Sequence, residues 1–514
     1  MKDISGKLEK NKKDLQFIFL CVFAWGLVAH GYAFMRSAFS HDSLNEFNGA
    51  DGSNYWKIQL GRFVVPLYRA VFRTDLTLPW LVGVLSMVWI GLAVFLIVRM
   101  FRMESKLLIC LTAGILTANM TVTGAASTYM MDCDYDMFAM LCSVAAVYLW
   151  KNVRWGWLMG AIPVAVSLGI YQSYVTVTIA LVMIVCILEL LQDGVFRNVF
   201  GRGMKAIGMI LLGGAGYYAA LQAVLWITGI PISSGDYHSL DTMLTLTPKF
   251  IILLALYAYG DWFHRLTNPV SPYPEFLVQG INFLLLLAAA AILLYGIWKR
   301  REKWLEMLLC IALAAVLPLG MNLIFVLSAG VIHDLMVYST WLTYLLILLL
   351  ADWFSKQNVC RGREILRTSC MVLTAVMLYS NVQTANVVYL KKDLEQEAFL
   401  SLMTRVISRM EDYEGYIPGT TPVVFVGNSS QVNEFISGFE KYHGIVGADM
   451  GVTDTSDDDR IRRYFHYILG NPAIMARNDI WNAMQDDERT AAMPAYPSEG
   501  CIAMMEDVLV VKLG

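Results

Sequence analysis

Between residues 15 and 388 the chain is a succession of long apolar runs separated by short polar turns. A run of roughly 17–25 apolar residues has the length of a helix that crosses a bilayer. In such surroundings every backbone N–H and C=O must be satisfied within its own segment, which leaves helices as the only continuous solution for runs of this length. Eleven spans are predicted, near 15–35, 79–99, 106–126, 135–150, 155–171, 173–192, 206–228, 277–298, 304–327, 334–353 and 367–388. The segment 250–260 is too short to span and is read as re-entrant or interfacial. Composition agrees: 57% of residues are hydrophobic and 16% charged, with a mean hydropathy of +0.53, far from a soluble domain of this size.

Lysine and arginine set the orientation. With a cytoplasmic N-terminus, about 21 Lys/Arg fall in the cytoplasmic turns and about seven in the opposite ones. The cytoplasmic set includes Arg99, Arg102, Lys151, Arg197, Arg202, Lys299, Arg300 and Arg367. Two large polar loops, a dense acidic turn and everything after Val388 are then expected outside the cytoplasm. The first apolar run is too long for a signal peptide and lacks a small-residue cleavage site, so it reads as a retained helix.

Hydropathy drops at Val388, dividing the chain into a membrane region, 1–388, and a polar region, 389–514. An amphipathic helix is predicted near 393–411, then a buried strand ending at Gly427-Asn428, and a last strand at 508–512. The fold class is therefore an α-helical polytopic membrane protein of about eleven transmembrane helices with a small C-terminal α/β extracytoplasmic domain. Of the nine cysteines only Cys133 and Cys501 are expected outside, so no disulfide framework is visible. No basic stripe points to nucleic acid. No internal repeat and few mid-span ionisable residues speak against a transporter.

Three sets of residues carry chemistry. His41-Asp42 follows the first span by about six residues. A carboxylate there can accept a hydroxyl proton, or it can cap a short helix. In Gly61-Arg62-Phe63, and at Arg69 and Arg73, arginine forks match phosphate oxygens or reach lipid headgroups. Arg62 is assigned the phosphate and Arg69 and Arg73 the headgroups. Asp132, Asp134 and Asp136 form the densest acidic site, open to three readings: charge at a helix N-terminus, the lining of a sugar or acceptor pocket, or a metal site.

In this order, His41-Asp42, Gly61-Arg62-Phe63 and Asp134-Tyr135-Asp136 resemble the serotype-conversion (Gtr type II) glucosyltransferase family over about residues 15–390. That family is similar to the wider C-superfamily of membrane glycosyltransferases. The resemblance implies a polyprenyl-phosphate sugar donor, commonly undecaprenyl-phosphate glucose, and transfer to a cell-surface glycan outside the cytoplasm. It also implies a catalytic acid in the first external loop, a place that Asp42 matches. It leaves open which of Asp134 and Asp136 is the functional counterpart.

The residues support a matching scheme. Asp42 is the base for the acceptor hydroxyl, and Arg62 with Lys249, His264 or Arg265 stabilises the leaving phosphate. His41, Asp134 and Asp136 line the sugar or acceptor site. The scheme requires neither metal nor cofactor. The partners it expects are the lipid-linked donor, the glycan acceptor and the bilayer of the cell (plasma or inner) membrane. The alternatives are a lipid-linked glycan flippase or exporter, needing a cationic lumen, and a non-catalytic scaffold, which would not need carboxylates concentrated in helix-linking loops.

Overall fold

The computed structural model describes residues 2–36, 40, 43–48, 50–232, 247–357, 360–427, 438–445, 448 and 458–513. Among them, eight helices are long and apolar enough to cross a membrane: Asn11–Met35, Pro79–Phe101, Met130–Asn152, Gln172–Leu191, Phe196–Thr228, Glu275–Lys299, Trp304–Met321 and Arg361–Glu411. Lys106–Thr117 and Met120–Thr128, bent by 41° at their junction, make a ninth if they act as one span. Two predicted spans are shorter than expected. The region 155–171 holds Gly156–Met159 and Ala161–Ile170, and the region 334–353 begins with two 3-10 turns before Leu342–Gln357. The segment 250–260 lies within a longer helix, Pro248–Thr267, which is not among the eight.

Local chemistry sets the helix ends. Pro79 opens its helix at a position where the missing N–H is harmless. Ser105, Asn119 and Thr247 accept from backbone N–H groups of the first turns that follow them. The Lys/Arg-rich turns share one end of the bundle. There Lys151 Nζ donates to Met100 O at 2.9 Å, Arg202 pairs with Glu189 at 3.0 Å, and Arg300 donates to Leu190 O at 3.0 Å. Arg99 meets Asp14 at 3.0 Å and Arg367 meets Asp352 at 3.3 Å at the same end. Asp132 stands on the helix that ends at Lys151 and Asn152, about 28 Å away along its axis.

Helix breaks converge towards that far side. Thr121 Oγ1 donates to Asp334 O at 2.6 Å and Tyr338 OH to Leu116 O at 2.5 Å, joining the bent pair to the 3-10 turns. Ser143 Oγ takes up Tyr174 O at 2.9 Å, and Asn381 Nδ2 takes up Ala118 O at 3.1 Å. Irregular backbone is tolerated at membrane depth only where protein groups or a lined cavity satisfy it, and here side chains do so.

Helix Arg361–Glu411 has 51 residues, about 76 Å, and runs unbroken through Val388. The drop in hydropathy thus falls inside one helix, and the predicted amphipathic helix is its final part. Phe399, Met403, Val406 and Met410 form one face of the C-terminal core. They share it with a four-stranded sheet of β1 (Pro422–Val426), β2 (Ile474–Met475), β3 (Ile502–Met505) and β4 (Val508–Lys512), in the order β2-β1-β4-β3. β1 is parallel to β2 and β4, while β3 and β4 form a hairpin. Its turn, Glu506-Asp507, places both residues at positive φ, as a two-residue hairpin turn requires. The same core contains Leu44, from the first connecting segment, and Phe47 packs on Tyr467 with ring centroids 5.2 Å apart.

Candidate active site

The acidic turn opens helix Met130–Asn152, and all three carboxylates are buried. At 100° per residue, positions 132 and 136 share a face while 134 points away. Asp132 meets Lys57 Nζ at 2.6 Å and Arg62 Nη1 at 4.0 Å, and it accepts from the Tyr135 hydroxyl. Asp134 faces Arg73, with 3.2 Å from Nε to Oδ2 and both side chains fully enclosed. The three carboxylates therefore do not converge on one point. Asp136, buried beside Asp132, has no hydrogen bond or ion pair among the described residues.

The cations come from helix Ala50–Gln59, the turn after it, and helix Val64–Phe72. Burial pulls the Lys57 ammonium below its ordinary pKa, against the attraction of Asp132. Gly61 makes the turn at φ +75°. An added Cβ would lie 2.5 Å from the Tyr217 hydroxyl and 3.2 Å from Gln172 Nε2. Gln172 donates to Leu60 O at 3.1 Å and Tyr217 to Gly61 O at 3.2 Å, fixing the turn that presents Arg62. The Arg62 guanidinium stacks on Tyr171, 4.2 Å from the ring centroid. It makes no side-chain hydrogen bond among the described residues, and its Nε is buried.

Arg69 and Arg73 do not reach headgroups. Arg69 is completely buried, donates to Ser53 Oγ at 2.7 Å and lies 5.7 Å from the Tyr135 ring centroid. Arg73 holds Asp134 and donates to Leu76 O at 3.1 Å and to Met131 O. Leu67 and Val71 of the same helix face outward instead. Sequence reasoning missed this, and it missed Lys57 and Tyr171. A signal was present: positions 62, 69 and 73 recur at helical spacing, on a side separate from Leu67 and Val71. Four cations against three carboxylates leave the buried cluster with an excess positive charge.

Among the described residues no hydrogen bond or ion pair joins Lys249, His264 or Arg265 to Arg62. Lys249 and His264 lie fifteen residues apart on helix Pro248–Thr267, about 22 Å, so they cannot serve one phosphate. Lys249 is exposed, and the exposed His264 touches Asn268 through Nδ1 at 2.9 Å. Arg265 is held between Asp261, at 2.8 Å, and Asp334, at 2.5 Å. Two carboxylates on one guanidinium make its surroundings net negative, which disfavours a phosphate there. His41 and Asp42 lie outside the described residues. Next to them in the chain, Ser40 Oγ donates to Thr128 O at 2.5 Å and Leu44 enters the C-terminal core.

Asp132 Oδ2 lies on Lys57 and faces Arg62, so the Arg62 fork, stacked on Tyr171 and without a hydrogen bond among the described residues, is the cation of the cluster best placed to meet an added anion. Neither a curated protein nor a solved structure matches the chain. The family model described as Glucosyl transferase GtrII matches residues 31–380, well over half of the chain, and the protein belongs to that glucosyltransferase family.

Proposed function

We propose that the protein transfers a glucosyl group from a polyprenyl-phosphate donor to a cell-surface glycan on the extracytoplasmic side of the plasma or inner membrane. The observation that carries this reading is Arg62, a guanidinium about one-fifth exposed and stacked on Tyr171, with its donor fork not engaged by any described hydrogen-bond partner. Arginine's planar fork fits phosphate oxygens. The clustering of Lys/Arg-rich turns at the opposite end supports the orientation, since such turns stay cytoplasmic.

In this scheme the donor phosphate lies on Arg62 and Lys57, and the acceptor hydroxyl gives its proton to Asp42. The hydroxyl oxygen attacks the anomeric carbon. The bond from that carbon to the phosphate oxygen breaks, and the polyprenyl phosphate leaves with its added charge met by the two cations. Asp136 serves the sugar; Asp134 is a structural partner of Arg73. No step calls on a metal or cofactor.

The test is transfer of labelled glucose from undecaprenyl-phosphate glucose to the surface glycan by the purified protein in liposomes. Transfer that Arg62→Lys reduces at least tenfold is expected. Transfer directly from a nucleotide sugar, or none from the lipid-linked donor, would overturn the reading.

A further inference from the structure

A second polar site lies where helix Pro248–Thr267 meets the break after helix Trp304–Met321. Arg265 bridges Asp261 and Asp334, and each of these three side chains is about one-fifth exposed. Asn322 is fully buried, and its Nδ2 donates to Asp261 Oδ2 at 2.9 Å and to Ala258 O at 3.0 Å. Among the described residues its Oδ1 has no partner, and neither has the buried indole N–H of Trp262, the neighbour of Asp261 in the chain. Buried polar atoms are normally satisfied, and these two, on residues of or next to the ionic cluster, leave polar groups that a ligand could meet.

The charges say what kind. One guanidinium between two carboxylates leaves a net negative site, which repels phosphate. Carboxylate and amide oxygens accept, while guanidinium and indole N–H groups donate. Such a mixture suits sugar hydroxyls, each both donor and acceptor. The site is joined to the donor region through Thr121, whose hydroxyl donates to Asp334 O and accepts from Trp341 Nε1 at 3.1 Å. From Thr121 to Thr128, just before the acidic helix, is about 10 Å of helix. Asp334 and the acidic helix thus lie towards opposite ends of one short helix, an arrangement suited to an extended glycan.

We propose that Asp261, Arg265, Asp334 and Asn322 form a subsite for the hydroxyls of the acceptor glycan, remote from the donor phosphate. This rests on the glucosyltransferase reading above. The probe is a set of oligosaccharides, of one and of several repeat units, released from the surface glycan of the source cell. For Asp261→Asn the KM for the longer oligosaccharide should rise about tenfold, with the donor KM changed less than twofold. Binding of that oligosaccharide to the full protein without donor should weaken equally. Trp262→Phe, which keeps the ring bulk and removes the N–H, carries the same expectation should Asp261→Asn fail to insert. A wild-type protein that transfers normally while both variants keep their acceptor KM overturns the subsite and leaves the function standing. A raised donor KM with unchanged acceptor KM overturns it too. A wild type that transfers nothing from the lipid-linked donor overturns the underlying reading instead.

Discussion

Lys57 and Asp132 meet at 2.6 Å with both side chains less than one-tenth exposed, joining the first connecting segment to the acidic helix. A buried pair of this kind contributes little net stability, yet losing one partner leaves an uncompensated charge. Lys57→Met should therefore lower stability by about 3–5 kcal/mol. Lys57→Met with Asp132→Leu should recover much of that loss and none of the transfer activity. Thermal unfolding in detergent beside the transfer assay reads both, and a double variant as unstable as the single one contradicts the pairing.

Arg62 and Arg69 should separate by phenotype. Arg62→Lys removes the fork that stacks on Tyr171, so the donor KM should rise at least tenfold at unchanged melting temperature. Arg69→Lys, in a fully buried place against Ser53 and Tyr135, should lower the melting temperature first. Identical small effects at both positions would contradict the phosphate role of Arg62.

Gly61→Ala meets two obstacles: a left-handed backbone at φ +75° and the Tyr217 hydroxyl 2.5 Å from the new methyl. The backbone alone costs about 1–2 kcal/mol. Tyr217→Phe in the same chain should restore part of the stability and part of the donor affinity, because it removes the clash and leaves the strain. Donor titration of the single and double variants is the check.

Asp42→Asn keeps size and capping ability but cannot take a proton. A loss of about 10²–10⁴-fold in turnover is expected, with Asp51→Asn as the control within the same segment. Near-normal turnover would transfer the base role to Asp136.

The membrane region was legible because hydropathy acts over twenty residues at a time, and the acidic turn because burial of three carboxylates is conspicuous. Two inferences failed for reasons the sequence contained. Asp134 and Asp136 looked like the lining of one site because they are neighbours in the chain, yet two residues along a helix turn a side chain through about 200°. Lys249, His264 and Arg265 looked like one loop, and a helix separates the first from the others. Arg69 and Arg73 were given to headgroups because exposed interfacial arginines usually reach them. The helical spacing of 62, 69 and 73 separates them from Leu67 and Val71, and packing shows that it is the latter two that take the outer positions. The convergence of helix breaks depends on contacts such as Thr121 with Asp334, more than 200 residues apart, which no local pattern records.

Leu44 sits in a core whose other walls come from residues 399–511. The segment next to Asp42 thus takes its packing from a part of the chain made long after it. A ribosome reaches β4 more than 450 residues after it has made Leu44, so for most of synthesis the bilayer bundle exists without that seat. The seat of an early connecting segment is completed by residues made hundreds of positions later, so its order is a late event of folding.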